Sequence, residues 1–340
     1  MTNDKILLGH GSGGRLSHEL IQNLFVKYFR TETGAQTGET DSAVLACGEE
    51  NIAFTTDSYV VDPIFFPEGN IGKLAVCGTV NDLSVSGAVP KFLSTSFIIE
   101  EGFSMKELET IVATMAEEAQ KAGVKIVTGD TKIVNRGKCD KIFINTAGIG
   151  FLPSDRKHIS YAKTVQAGDK IIINGTIGDH GMAIMAEREK LSFSTKIKSD
   201  CASLNGLIAE ILQVTENVRF MRDATRGGLA TVLVELAENC KKGILLNEEA
   251  IPVNENVRGI CELLGFDPLY VANEGKIVIV VSENEAEKVL QVMRKNKLAE
   301  NAAIIGEVSD NNAGRVILQT SIGGRRIVNM LAGEQLPRIC

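Results

Sequence analysis

Isolated aspartates stand at the ends of apolar stretches, or inside them, in the first half of the chain. They are Asp41, Asp57, Asp82 and Asp130. An unpaired carboxylate in apolar surroundings is costly unless it meets a cation or hydrogen-bond donors. Carboxylate oxygens suit Mg²⁺, which usually combines a few of them with water and nucleotide phosphates. We therefore predict that these four aspartates bind magnesium, although each alone is also typical of a helix cap or a turn.

Two glycine-rich segments have the composition of phosphate-binding loops. Residues 9–14 read Gly-His-Gly-Ser-Gly-Gly and run into an amphipathic helix predicted at about 15–30. Residues 222–228 read Arg-Asp-Ala-Thr-Arg-Gly-Gly and open a helix predicted at 227–240. Backbone N–H groups at glycines and at helix N-termini attract anions. The first segment is not a P-loop, because no Gly-Lys-Ser/Thr follows. A flexible leader and an ordinary capped helix remain alternatives.

Cys340 is the last residue of the sequence. It is not a prenylation signal, because that signal places its cysteine fourth from the end. Chain ends are commonly disordered, and an extended chain starting at Gly333 would span about 25 Å at about 3.5 Å per residue. We expect an exposed, mobile thiol that can be presented to more than one site. A frayed end without a role is the alternative.

Lys132 and Glu274 form a looser pair of candidates. Lys132 follows Gly-Asp-Thr, and Glu274 lies in Asn-Glu-Gly-Lys just before an apolar strand. Exposed loop charges are the commoner explanation of such residues.

The composition excludes several classes of protein. The 340 residues are 44% hydrophobic and 23% charged, with a formal net charge of -7, as in ordinary folded proteins. The negative charge argues against nucleic-acid binding, which depends on Lys and Arg. No apolar run approaches the ~20 residues of a membrane span, and the start lacks signal-peptide features. We expect a cytoplasmic protein with no membrane partner and with reduced cysteines, since no C-x-x-C or zinc-type spacing occurs.

The predicted elements fall into two halves that each mix helices and strands. Because helices do not alternate strictly with strands, an α+β arrangement within the α/β class is the better prediction than a doubly wound sheet. The junction is predicted at 153–168. The elements are strands at 42–47, 52–57, 92–99, 124–128, 142–150, 170–174, 276–281, 302–308 and 314–319, and helices at 70–86, 104–122, 180–190, 202–213, 227–240 and 283–296.

Together these segments resemble the HypE family of hydrogenase maturation factors, within the superfamily of aminoimidazole ribonucleotide synthetase and selenophosphate synthetase. The resemblance covers essentially the whole chain, and the cysteine tail distinguishes the family from its relatives. The segments are His10 to Gly14, Thr55-Thr56-Asp57-Ser58, Asn81-Asp82-Leu83, Gly129-Asp130-Thr131-Lys132, Asp223 to Gly228 and Pro337-Arg338-Ile339-Cys340.

The resemblance implies a two-domain fold. Residues 1–155 would form an ATP-binding and dimerisation domain whose sheet pairs with that of a second copy, residues 156–330 a second α/β domain, and residues 331–340 a flexible tail. It implies a homodimer that uses ATP and Mg²⁺. The residues expected at the nucleotide are Gly11, Ser12, Gly13, Gly14, Asp57, Asn81, Asp82, Asp130, Asp223, Arg226 and Gly227.

The resemblance also implies a reaction. A carbamoyl group placed on Cys340 by the partner HypF would be dehydrated with ATP to a thiocyanate, and its cyano group would pass to a HypC–HypD complex for the iron of [NiFe] hydrogenase. Glu274 is the expected base, and Lys132 would polarise the substrate or stabilise phosphate. The alternatives are an enzyme of the same scaffold that phosphorylates a free small molecule, and a non-catalytic scaffold.

Overall fold

The computed structural model describes residues 5–29, 40–48, 50–190, 197–331, 333, 336 and 338–340. The strands are β1 (Ala43–Cys47), β2 (Glu50–Tyr59), β3 (Phe65–Phe66), β4 (Gly69–Asn70), β5 (Val89–Glu100), β6 (Lys125–Val134), β7 (Ile142–Phe151), β8 (Lys170–Ile173), β9 (Val218–Asp223), β10 (Gly243–Asn247), β11 (Ile277–Val281), β12 (Ala303–Ser309), β13 (Val316–Gln319) and β14 (Arg325–Val328). The helices are α1 (Arg15–Leu20), α2 (Lys27–Phe29), α3 (Ile71–Val85), α4 (Met105–Ala122), α5 (Asp179–Arg188), α6 (Asn205–Val214), α7 (Gly228–Cys240), α8 (Glu255–Leu264) and α9 (Glu283–Met293).

The first sheet has the strand order β1-β2-β7-β5-β6, antiparallel except for the parallel pair β5 and β6. Helix α3 crosses its inner face and is almost entirely buried, because α4 and the second half of the chain cover its other sides. A helix of small and apolar residues on all sides belongs in such a place. The helix starts at Asn70, whose side chain accepts hydrogen bonds from the N–H groups of Gly72 and Lys73.

The outer face of this sheet is uncovered in the single chain. Edge strand β6 is exposed along nearly its whole length, and its side chains include Ile126, Val127 and Ile133. Phe54 and Phe92 add exposed aromatic surface on neighbouring strands. Exposed apolar edge strands are typical pairing surfaces.

The second sheet has the order β14-β13-β10-β12-β8-β11-β9. It is covered on both faces, with one core cluster on the side of α7 and a second on the side of α6 and α9. Strand β11, which lies between β8 and the edge strand β9, reads Ile-Val-Ile-Val-Val, and all five residues are buried. A continuous apolar strand is expected where both faces are covered.

Most predicted elements are present, and the differences are instructive. Strands β3, β4, β9, β10 and β14 and helix α8 were not predicted. Strand β6 is longer than predicted and includes Gly129 to Lys132, because Gly129 lies against the carbonyl oxygen of Thr95 on β5, where a Cβ would collide. Among the helices described, none has the length and apolar character that a bilayer crossing requires.

Asn81 on α3 connects the two halves. Its Oδ1 accepts a hydrogen bond from the N–H of Leu204 (2.8 Å), and its Nδ2 donates to the carbonyl of Ala202 (3.0 Å). Both ends of the amide are therefore used within the protein. The expected nucleotide contact of Asn81 stays a prediction.

Replacing Asn81 by Ala should lower the free energy of unfolding by about 2–4 kcal/mol, since two buried backbone groups lose their partners. Equilibrium unfolding in urea measures the loss. Asn205→Ala is the matched control, because Asn205 donates one part-buried bond to Ala122 (2.8 Å) and should cost less. Equal losses in the two variants would contradict the connecting role of Asn81.

Candidate active site

A cavity of about 330 Å³ lies between the glycine-rich leader and the start of α7. Charged groups of both signs line it. They include Asp41, Arg222, Asp223, Arg226 and Glu235. The two predicted phosphate-binding segments therefore lie on the same cavity.

The leader is fixed by close backbone contacts. Arg226 donates from a guanidinium nitrogen to the carbonyl of Gly11 (2.8 Å). Gly13 has a φ of 75° and lies against the backbone of Arg226, and a Cβ at Gly14 would collide with the carbonyl oxygen of Leu331. Only glycine permits both the positive φ and the close approach. The leader thus joins Arg226 to the beginning of the C-terminal tail.

Ser12 and Gly227 complete this region. The Ser12 hydroxyl donates to the carbonyl of Gly9 (2.9 Å). Gly227 precedes α7 with a φ of 79°, and a Cβ there would collide with the hydroxyl of Thr231. The N-terminus of α7 is therefore open toward the cavity, as phosphate binding requires.

Four of the predicted acids gather at this site: Asp41, Asp57, Asp82 and Asp223. Arg222 contacts Asp41 through Nε (3.1 Å) and Glu235 through a terminal nitrogen (2.5 Å). A terminal nitrogen of Arg226 lies 3.8 Å from Oδ1 of Asp57. Asp82 has a neutral partner instead, since the hydroxyl of Thr55 donates to its Oδ2 (2.8 Å). Asp82 was expected to meet a cation or a hydrogen-bond donor. Among the described residues its donor is the hydroxyl of Thr55, and its charged neighbours are other carboxylates.

Burial raises the pKa values of these carboxyl groups, and repulsion by neighbouring carboxylates adds to the increase for Asp82 and Asp223. The pKa of Asp82 is raised well above its usual value by burial and then by the charges of Asp223, Asp41 and Asp57, while the hydrogen bond from Thr55 lowers it. The pKa of Asp223 is raised by burial and then by Asp41, with Arg222 acting in the opposite direction. The positive charges of Arg222 and Arg226 therefore do not fully offset the effect of burial and repulsion on these pKa values.

These carboxylates fit a cation whose remaining ligands come from a bound nucleotide and water. Carboxylate oxygens are the ligands that Mg²⁺ prefers, and a cation would relieve the repulsion that raises the pKa values. Within the described ranges, however, no three His, Cys, Asp or Glu side chains form a group that could hold one ion by themselves. Nucleotide phosphates and water would have to complete the coordination.

Asp130 does not join the other three aspartates within one chain. Four directly paired residues run across four strands of the sheet. They are Asp130 on β6, Ser96 on β5, Asn145 on β7 and Ser58 on β2. Directly paired residues lie on the same face of a sheet and successive residues alternate. Asp130 therefore faces outward, whereas Asp57, next to Ser58, faces the cavity. The magnesium-binding role of the four aspartates stays a prediction, and within one chain Asp130 lies apart from Asp41, Asp57 and Asp82.

Lys132 lies on the same outer face as Asp130. Its Nζ is 2.7 Å from Oδ2 of Asp130, and their side chains are 68% and 60% exposed. The charged groups that act on Glu274 are instead Asp223, Asp57, Asp200 and Arg226. The predicted pair of Lys132 and Glu274 is not formed within one chain.

The end of the tail is docked rather than exposed. Cys340 is 7% and Ile339 is 2% exposed. The N–H of Val60 donates to the carbonyl oxygen of Cys340 (3.1 Å), and the N–H of Asp62 donates to that of Arg338 (3.2 Å). The expectation of an exposed thiol is wrong for this structure, because the tail pairs with residues 60–62 and buries Ile339. Pro337 lies outside the described residues.

Cys340 is placed beside Glu274 and Arg226. Burial raises the pKa of the thiol, Arg226 lowers it, and the charges of Glu274 and Asp57 and a hydrogen bond with Glu274 raise it. Burial also raises the pKa of Glu274 well above its usual value, followed by the charges of Asp223, Asp57 and Asp200, while Arg226 lowers it. Oε1 of Glu274 is buried and has no hydrogen-bond partner among the described residues. The expected acceptor thiol and the expected base are therefore brought together.

Several residues of this site were not predicted from the sequence. His180, Arg188 and Asp140 contact the tail, and Asp200 contacts the backbone of Glu274. The run Gly-Asp-His-Gly at 178–181 was a signal, because a histidine between glycines at a helix start is unusual. Its contact with the tail, 159 residues later, could not be read from spacing.

The chain matches a known pair of domain families. Residues 39–152 match "AIR synthase related protein, N-terminal domain", and residues 166–319 match "AIR synthase related protein, C-terminal domain". The carbamoyl dehydratase HypE of Rhodobacter capsulatus is 47% identical over 340 residues, which cover 100% of this chain and 99% of that protein. The carbamoyl dehydratase HypE of Escherichia coli K12 is 48% identical over 341 residues, covering 99% of this chain and 100% of that protein. The chain belongs to the HypE family.

Solved HypE structures have the same fold. A chain in a crystal structure of a HypE–HypF complex is 48% identical with a TM-score of 0.86, covering 92% of this chain and 99% of that one. HypE crystallised with ATP is 47% identical with a TM-score of 0.82, covering 99% and 100%. Thiamine monophosphate kinase of Aquifex aeolicus, at 17% identity and a TM-score of 0.66 over 92% and 99%, shares the fold alone.

The free energy of unfolding of the nucleotide-free protein should fall as the pH rises. In the Asp82→Asn variant this fall should be smaller than in the unsubstituted protein. A carboxyl group with a raised folded pKa stabilises the fold fully below its unfolded pKa of about 4 and loses that contribution as the pH rises through the folded value. Urea unfolding between about pH 5 and pH 8 should therefore show a steeper decline for the unsubstituted protein than for the variant. Asp155→Asn, at an exposed position, is the control. Parallel declines for Asp82→Asn and the unsubstituted protein would refute this electrostatic account.

Proposed function

We propose that this protein uses ATP to dehydrate a carbamoyl group carried on Cys340 to a thiocyanate, which supplies cyanide for the iron of [NiFe] hydrogenase. The observation that carries the proposal is the docked Cys340 beside Glu274, whose Oε1 has no partner among the described residues. The names of the HypE relatives, carbamoyl dehydratases, support the same reaction. The crystal structure of HypE with ATP supports the nucleotide.

The reaction removes the elements of water from a carbamoyl thioester, S–C(=O)–NH₂. Transfer of the γ-phosphoryl group of ATP to the carbamoyl oxygen makes that oxygen a phosphate leaving group. One N–H proton leaves as the C=N bond forms, and the second leaves as the C–O bond breaks and C≡N forms. The products are the thiocyanate, ADP, phosphate and a proton.

Glu274 is the base in this proposal. Its raised pKa makes its carboxylate a strong proton acceptor once ionised, and Arg226 favours the ionised form. Burial of Cys340 keeps water from the group it carries. The chain's own residues thus supply a dry site, a base and a cation.

Magnesium would be held by Asp41, Asp57 and Asp82 together with the nucleotide. When bound, it neutralises the phosphate charges during phosphoryl transfer. The glycine-rich leader, Asp223, Arg226 and the N-terminus of α7 would hold the phosphates. The cavity between them supports this placement.

The homodimer is proposed to form through the outer face of the first sheet. A second copy would cover the exposed strand β6 and its neighbouring aromatic side chains. Asp130 and Lys132, which face away from Asp57 and Glu274 of their own chain, would be offered to the site of the other copy. The predicted roles of these two residues are therefore proposals for a dimer.

The partner proteins are proposed to meet an undocked tail. A buried thiol cannot receive a carbamoyl group from another protein, so residues 331–340 must leave the site for HypF and for the HypC–HypD acceptor. The solved HypE–HypF complex supports the first partner. The cytoplasm, where both partners would be met, remains the expected location.

Glu274→Gln should block dehydration by at least 100-fold, because a general base contributes about 10²–10⁴-fold. The measurement is mass spectrometry of the C-terminal peptide after incubation with HypF, a carbamoyl donor and Mg-ATP. The variant should retain the carbamoyl group on Cys340, whereas the unsubstituted protein should lose one water from it. ATP affinity, measured by calorimetry, should survive.

Glu238→Gln, an exposed position on α7, is the control and should dehydrate normally. Cys340→Ser should carry no thiocyanate at all. Full turnover in Glu274→Gln would remove Glu274 from the mechanism, and thiocyanate in Cys340→Ser would end the proposal.

Val127→Asp should convert the dimer to a monomer and slow dehydration at least 10-fold, because it buries a charge in the proposed interface. Sedimentation equilibrium and the peptide assay measure the two effects. Leu263→Asp is the control, since Leu263 is also exposed, on α8, and should leave both unchanged. A Val127→Asp dimer with normal turnover would contradict this interface.

A further inference from the structure

The protein forms hydrogen bonds with the tail backbone up to the peptide bond that precedes Cys340. The carbonyl of Arg338 is bonded by the N–H of Asp62 and by Arg188 (2.8 Å), and that of Cys340 by the N–H of Val60. The carbonyl of Ile339, between them, lies 2.9 Å from Nε2 of His180. His180 therefore contacts the part of the tail that is nearest the thiol.

The hydrogen bonds fix the tautomer of His180. A carbonyl oxygen can only accept, so Nε2 carries the proton and donates to Ile339. Nδ1 must then accept, and the hydroxyl of Ser199, 2.8 Å away, donates to it. His180 is fully buried, and its burial lowers its pKa, which favours this neutral form. The ring also packs edge-on against Phe66, with centroids 5.5 Å apart.

Ser199 connects His180 to the segment that contacts Glu274. Its oxygen accepts a hydrogen bond from the N–H of Cys201 (3.1 Å). On one side of Cys201, Oδ1 of Asp200 accepts from the N–H of Glu274 (3.0 Å), and on the other the N–H of Ala202 donates to the carbonyl of Glu274 (3.3 Å). Both backbone polar groups of Glu274 are thus bonded by residues 200–202.

The two segments cannot slide past each other. A Cβ at Gly275 would collide with the carbonyl oxygen of Asp200, so the backbones are in direct contact. Lys276 also forms a buried ion pair with Asp200 (2.9 Å). A shift of residues 199–202 must therefore move Glu274 with them.

We propose that His180 is a positioning residue that, through Ser199 and Asp200, ties the placement of Glu274 to the docking of the tail; this inference rests on the function proposed above. When the tail leaves, Nε2 of His180 loses its acceptor in a buried position, and an unpaired buried donor is unfavourable unless the segment rearranges. Glu274 is then held in its working position only while a tail backbone is present. The base is thereby reserved for the group on Cys340.

Ser199→Ala is the sharpest test, because Ser199 contacts neither the tail nor the side chain of Glu274. The assay is single-turnover dehydration of protein already carbamoylated by HypF, at saturating Mg-ATP. The rate should fall about 10-fold, while ATP affinity and the protection of unmodified Cys340 from iodoacetamide stay unchanged. Ser199→Thr, which keeps the hydroxyl, should restore the rate.

Ser84→Ala is the matched control, since Ser84 is a fully buried serine whose hydroxyl bonds the carbonyl of Val80 (2.6 Å) outside this network. It should dehydrate normally. A normal rate in Ser199→Ala, or an equal loss in Ser84→Ala, would overturn the proposal.

His180→Gln gives a second route if Ser199→Ala fails to fold. Glutamine can place a donor where Nε2 stands but offers no matching acceptor to Ser199, so the tail should dock while dehydration slows. Normal dehydration with a docked tail would overturn the proposal. Full dehydration by Glu274→Gln would instead contradict the proposed function. If Glu274→Gln does not dehydrate the group but Ser199→Ala does so at the normal rate, only this inference would be contradicted.

Discussion

Buried negative charge is the constraint on which this molecule depends. Asp41, Asp57, Asp82 and Asp223 are drawn together from β2, α3, the end of β9 and the segment before β1. Burial raises the pKa values of all four, and repulsion by the neighbouring aspartates raises those of Asp82 and Asp223 further. Arg222 and Arg226 offset only part of that repulsion. The fold tolerates the arrangement because two well-packed sheets hold the elements in place. A cation bound among these carboxylates would supply the missing positive charge and would thereby stabilise the fold.

The same arrangement explains why so many close backbone contacts surround the site. Glycines at 13, 14 and 227 let the leader and the start of α7 lie against their neighbours, and Gly275 does so for the segment bearing Glu274. Close contact without side chains makes these segments stiff. Stiffness is what a base and an acceptor thiol need, because a displacement of about 1 Å can cost a factor of 10² in rate.

The sequence predicted the fold class and most elements, because the continuous apolar runs of α3 and β11 and the amphipathic pattern of α4 are strong and local. It also identified Asp82 correctly as an acid that needs explanation in an apolar helix. It did not reveal that Asp130 faces outward, because facing inward or outward depends on the register across four strands, which a single strand does not show. It failed for the docked Cys340, because residues 60–62 and His180 are distant in sequence. Long-range pairing of short segments leaves no local pattern.

The leader and the tail meet at the same cavity, where the N–H of Arg15 donates to the carbonyl of Leu331 (3.0 Å) and residues 338–340 pair with residues 60–62. This has a consequence for biosynthesis. A growing chain can fold its first sheet early, but it cannot close the leader or place the thiol until residues 331–340 have left the ribosome. The acidic cavity therefore exists for a time without the thiol of Cys340, and the proposed chemistry can begin only after these residues have docked.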